Sequence, residues 1–69
     1  LFRSMANPEL EKVLEAAWAK GFAFGKYIQD IPLSQDIIVL LENSNEFMNE
    51  YMLEFRNAVK SGMLETLRG

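Results

Sequence analysis

Ala17, Gly21 and Gly25 stand four residues apart inside a stretch, Ala16 to Ile28, that otherwise patterns as one helix. That spacing sets the three small residues near one another on a single helical face. A helix interior loses roughly 1 kcal/mol for each glycine relative to alanine, so two glycines need a physical reason. A phosphate-cradling loop would need four residues between the glycines, a Ser or Thr after the lysine, and a strand before it. Here three residues intervene, Tyr27 follows Lys26, and the flanks are helical in pattern. A membrane segment would need roughly 18 apolar residues, and Lys20 and Lys26 interrupt the run. Close contact with a second helix is the reading that survives, because small residues let another backbone approach. That helix belongs either to this chain or to another copy, and both options stay open at this point.

Around this face the chain patterns as three helices. Asn7-Pro8-Glu9 starts the first: Asn can cap, Pro suits the first helical position, and Glu9 and Glu11 suit the positive end of the helix dipole. Leu10, Leu14, Ala17, Gly21, Phe24 and Ile28 then recur at alternating intervals of four and three, a heptad-like seam. Pro32 disfavours helix at Ile31, which sets the expected end near Gln29-Asp30. Ser34 opens a second helix, with Leu33 and Ile38 placed for a hydrophobic staple. Its five successive apolar residues, Ile37 to Leu41, would suit a buried strand equally well, but no partner strand exists in the pattern. As a short helix apolar all round, it requires cover on more than one side. Asn43-Ser44-Asn45 breaks the chain, and a third helix is expected from about Glu46 to Ser61, with Phe47, Tyr51, Phe55, Ala58 and Val59 inward. Gly62 marks its expected stop, although Met63 to Leu67 can resume it. Leu1-Phe2-Arg3-Ser4 precede Met5-Ala6-Asn7, an ordinary protein start, and are set aside as a cloning remnant. Residues 5–69 are then one all-α, three-helix domain.

Sixty-nine residues bury only about 60% of the unfolded surface, so small domains lean on disulfides, metals or oligomerisation. The chain has neither cysteine nor histidine, which removes disulfides, thiolate metal sites and the commonest acid–base residue. Oligomerisation is the help that remains. Hydrophobic residues already make up 49% of the chain before its glycines are counted, against roughly 45–50% with glycine included in an average domain. A homodimer is therefore expected, with Ala17, Gly21, Gly25, Phe24, Ile28, Ile38 and Leu41 as its candidate self-association residues. The net charge of −3 and pI of about 4.8 argue against phosphate-backbone binding, which needs clustered Lys and Arg. The absence of a recognisable signal peptide and of cysteine favours a cytoplasmic setting.

Candidate partner-binding residues follow from what the seam leaves over. Trp18 and Phe22 lie one turn apart on its flank, and paired large rings are typical interface anchors; the competing role is to cap the edge of the core. Glu46, Glu50 and Glu54 recur every four residues as one stripe, where like charges repel by a few tenths of a kcal/mol per pair. A solvated face is the ordinary explanation, and a docking strip for a basic surface is the sharper one. Leu53 and Leu64 fall on the otherwise polar side of the third helix. The four methionines suit gap-filling or an adaptable contact surface. No catalytic, metal or cofactor site is expected: nucleophile–base pairs lack a base, di-iron carboxylate helices need histidine, and so small a helical chain offers no evident cleft. The expected function is that of a small regulator or inhibitor that binds another protein through helices. Alternatives are a structural subunit, or a nucleic-acid-associated dimer whose basic face combines Lys12, Lys20 and Lys26. By analogy alone, such small acidic helical chains are of the kind phages and mobile elements encode.

Overall fold

Asn7 starts the first helix by accepting a hydrogen bond at Oδ1 from the Leu10 amide (3.1 Å), with Pro8 at the first helical position. The structure, a computed structural model, describes residues 7–28 and 30–69; the residues set aside as a cloning remnant, and Gln29, lie outside them. Three helices follow in order: α1 (Pro8–Tyr27), α2 (Gln35–Asn43) and α3 (Asn45–Arg68). No strand occurs among the described residues. Ser34 precedes α2 without capping it, its hydroxyl donating instead to Asp36 Oδ1 at 2.6 Å. Ser44 caps α3, its Oγ accepting from the Phe47 amide at 3.2 Å.

Two boundaries differ from expectation. α1 stops at Tyr27, earlier than Gln29-Asp30, because Ile28 adopts a left-handed conformation (φ 56°, ψ 45°) and its amide donates to the Phe24 carbonyl at 2.9 Å. α3 does not stop at Ser61; it runs through Gly62 to Arg68. The reason is the contact Gly62 makes. A Cβ there would stand 2.5 Å from the Phe22 carbonyl oxygen and 3.0 Å from the Lys26 amide. Gly62 is an interior contact residue and not a terminator.

The glycines fix how α1 and α3 run. Gly21 lies against Phe55 and Ala58, Gly25 against Val59 and Met63, and Gly62 against Phe22, Gly25 and Lys26. Residue numbers rise together along both helices, so α1 and α3 are parallel. A returning segment must therefore connect the top of α1 to the bottom of α3. Its path is marked by Lys20, whose Nζ pairs with Asp30 (3.1 Å) and donates to the Ile31 carbonyl (2.5 Å), and by Lys12, which pairs with Asp36 (3.4 Å). Residues 30–34 thus belong to a strap descending beside α1.

The core sits at the lower end of the pair, where Ile37 and Leu41 of α2 meet Val13, Ala17 and Tyr51, with Ala16, Leu33, Leu40, Phe47 and Phe55 packed around them. Val39 of α2 remains exposed. The heptad seam needs correction at both ends. Val13, outside the seam, is fully buried, whereas Phe24 and Ile28, inside it, are exposed and Leu10 is half-buried. The face that meets α3 follows residues 13, 17, 21 and 25. A straight helix with 3.6 residues per turn drifts away from a strict 3.5-residue seam over this length, and the small residues at 17, 21 and 25 set the line of closest approach.

Candidate protein-binding surfaces

Parallel packing gives the α1–α3 pair two unlike flanks. On one, Phe24 and Ile28 of α1 adjoin α3. Two shallow hollows share these residues: one of about 220 Å³ also reaches Lys20, Asp30 and Phe55, and one of about 230 Å³ reaches Gly25, Val59 and Met63. The rings of Tyr51, Phe55 and Phe24 follow one another at 6.1 Å centroid separations, linking this groove to the core. Ile28 projects at its edge, 79% exposed. No reading of the sequence singled out this groove, because its α3 half is known only once the two helices are known to be parallel.

The other flank carries the aromatic shoulder. Trp18 stacks on Phe22 (centroids 5.7 Å, planes 22° apart) and stays 41% exposed, while Phe22 is half-buried. Lys26 Nζ lies 5.7 Å from the Phe22 ring and 5.1 Å from the Tyr27 ring, within reach of a cation–π attraction. From the 3.6-residue turn, the α3 residues facing this side are Glu54 and Ser61, with Glu50 further round and Glu46 on the outer face. Burial agrees: Glu46 is exposed, Glu50 and Glu54 half-buried. The acidic stripe therefore winds toward Trp18 as it climbs α3. Leu53, 56% exposed, points away from α1, so the structure does not bring it to the aromatic shoulder.

The candidate self-association residues divide in two. Ala17, Gly21 and Leu41 are buried between elements of this chain, and Gly25 lies against Val59 and Met63. The close approach that explains the glycines is thus made within one molecule. Ile38 is half-buried, and Phe24 and Ile28 are exposed.

Among the described residues, two ionisable groups are perturbed. A hydrogen bond from the Ser34 hydroxyl, then one from Lys12, holds the Asp36 carboxyl below its ordinary 3.8, while burial pushes the Tyr51 phenol above 10.0. Among the described residues, no three acidic side chains converge as a metal site would require, and no helix is long and apolar enough to cross a membrane.

Among the described residues, fold and surfaces together define a three-helix all-α unit with open apolar flanks. Compared with protein-family models, with curated proteins and with solved structures, it shows no significant match to any of them.

Proposed function

We propose that this chain is a small non-enzymatic protein-binding regulator, cytoplasmic and homodimeric, whose target docks on the Trp18–Phe22 shoulder. The observation that carries the reading is the stacked pair itself: a tryptophan lying against Phe22 yet 41% exposed. Preorganised rings lose little freedom on binding and dominate the energetics of protein contacts. Glu54 and Glu50, on the same flank, would steer a basic rim of the target and contribute mainly to association rate. The short apolar helix α2, with Val39 exposed, gains its further cover in the dimer.

The test compares baits in cell lysate, followed by affinity measurement on the captured target. Trp18→Ala, if folded, should weaken binding at least about tenfold, equivalent to roughly 1.4 kcal/mol, chiefly through faster dissociation. The triple Glu46→Gln, Glu50→Gln, Glu54→Gln variant should instead slow association, and at low salt most of all. Normal binding by folded Trp18→Ala, with loss in the triple variant, would move the site to the acidic stripe. Capture of copies of the chain or its assembly neighbours alone would favour a structural subunit, the reading that the exposed Leu53, Leu64 and Leu67 also suit.

A further inference from the structure

We propose that the Phe24–Ile28 groove is where two copies of this chain meet, paired about a two-fold axis that runs along the helices, with Ile28 of each copy seated in the hollow of the other. This inference rests on the homodimer reading above and names its surface.

Ile28 makes the first argument. A left-handed backbone crowds a Cβ, and a β-branched side chain is a genuine outlier there; glycine or asparagine is the usual occupant of such a helix end. Yet Ile28 holds φ 56° while its side chain stays 79% exposed. Its amide satisfies the Phe24 carbonyl and closes the helix, but glycine would make the same bond without crowding a Cβ, so that bond does not account for the isoleucine. An unfavourable backbone state that presents a large apolar side chain to solvent points to a contact outside the chain.

The hollows make the second. Both, of about 220 and 230 Å³, open beside Ile28 and share Phe24 as a wall. A patch that carries a knob and a hollow side by side complements itself under a two-fold rotation, and such an isologous contact closes at two copies.

Charge makes the third, and it selects the occupant. The strap edge of the groove ends in Asp30, whose side chain is 96% exposed and pairs through Oδ1 with Lys20. On the α3 side, the helical turn places Arg56 beyond Val59 and Met63, with Lys60 further round, and both are exposed. Asp30 lies level with Lys20, and Arg56 lies level with Gly21, so the opposite charges stand at one height on opposite rims. A two-fold along the helices lays each strap rim against the α3 rim of the other copy, so Asp30 faces Arg56 of the partner subunit. An acidic helix from an unrelated protein would satisfy Arg56 and Lys60 but would be repelled by Asp30. A rim carrying both signs fits a second copy better.

The absence of cysteine makes the test direct. Sedimentation equilibrium of the full chain should show a dimer. Ile28→Asp should raise the dissociation constant about tenfold or more, the scale of a lost interface anchor, whereas Leu53→Asp on the outer face should leave it unchanged. Ile28→Gly keeps the fold by removing the left-handed strain, so its circular dichroism should match the parent while its association weakens. Ile28→Cys should form covalent dimers on mild oxidation, and Leu53→Cys should not. Asp30→Arg should weaken pairing, and Asp30→Arg combined with Arg56→Asp should restore it. A wild-type dimer indifferent to Ile28→Asp, with no Ile28→Cys cross-link, overturns the surface and leaves the homodimer standing. A folded wild-type monomer at millimolar concentration overturns both, without touching the Trp18 site. Binding of an acidic amphipathic helical peptide at Ile28 by that monomer would reassign the groove.

Discussion

Below Ala17, a third helix fills the angle between α1 and α3, and Ile37 and Leu41 close over Val13, Ala17 and Tyr51. Above Ala17 no helix covers the pair, and Gly21, Gly25, Ala58 and Gly62 bring the two backbones together instead. The same pair is held by interdigitating side chains at one end and by near contact of main chains at the other. What this teaches concerns how a small chain economises. Two helices with side chains between them leave a gap that needs a third element to seal. Two helices with glycine and alanine between them seal against each other, and dispersion contacts between close-packed atoms replace the missing layer.

The strongest way to break this contrast is to damage each half separately. Ile37→Ala opens a cavity in the lower half and should cost about 2–5 kcal/mol, out of a total of only about 3–10 kcal/mol for a chain this size. Urea unfolding should show the midpoint falling sharply; a change below 1 kcal/mol would mean that α2 contributes no core. In the upper half, Gly21→Leu should cost about 1–3 kcal/mol through overpacking, although leucine is the better helix former. Ala19→Leu, on the exposed side of the same helix, should stay within about 0.5 kcal/mol. A melting temperature that rises on Gly21→Leu would show that no backbone lies against that face. Gly62→Ala is the finer probe, since one methyl group must meet the Phe22 carbonyl oxygen and the Lys26 amide. We expect a net loss near 1 kcal/mol, where helix propensity alone would give a gain of similar size.

Two pH responses are smaller and report on the lower half. The Tyr51 phenol is held above its ordinary value by burial, so the folded chain keeps that proton more tightly than the unfolded one. Its contribution is complete below about pH 10 and lost as pH rises through the folded value. Tyr51→Phe should flatten that part of the alkaline limb, as followed by circular dichroism. Asp36 shifts the other way: Ser34 and Lys12 favour its charged form. The stability it adds is present above its ordinary value of 3.8 and lost as pH falls through the folded one. Carbon-detected titration should place its midpoint below 3.8, and Ser34→Ala should move it upward.

Much of this architecture was legible beforehand, and the parts that were not share one cause. The number of helices, the cap at Asn7, the break at Asn43-Ser44-Asn45, and the contact role of Gly21 and Gly25 follow from local chemistry. Gly62 patterns as a stop from which Met63 to Leu67 can resume, yet an interior glycine can mark close approach as readily as an end. Val13 falls outside the four-three seam, and Phe24 and Ile28 inside it, because a regular seam assumes side chains of similar size along the face. Once small residues define the nearest line, that line follows a four-residue row. Of the surfaces, Trp18 with Phe22 was visible from spacing within one helix. The groove joining Phe24 and Ile28 to Val59 and Met63 depends on the relative direction of α1 and α3, which no local pattern encodes.

The parallel arrangement also governs how the molecule assembles. Gly21 and Ala58 touch, yet roughly half the chain separates them, and closing so long a loop costs entropy before any contact rewards it. α1 cannot wait in finished form, since its two interior glycines make it a poor helix alone. It becomes stable only when α3, through the turn containing Gly62, is there to meet it. Folding should therefore be slow for a helical chain of this size and nearly all-or-none. On the ribosome α1 should stay protease-sensitive until the segment carrying Gly62 has emerged.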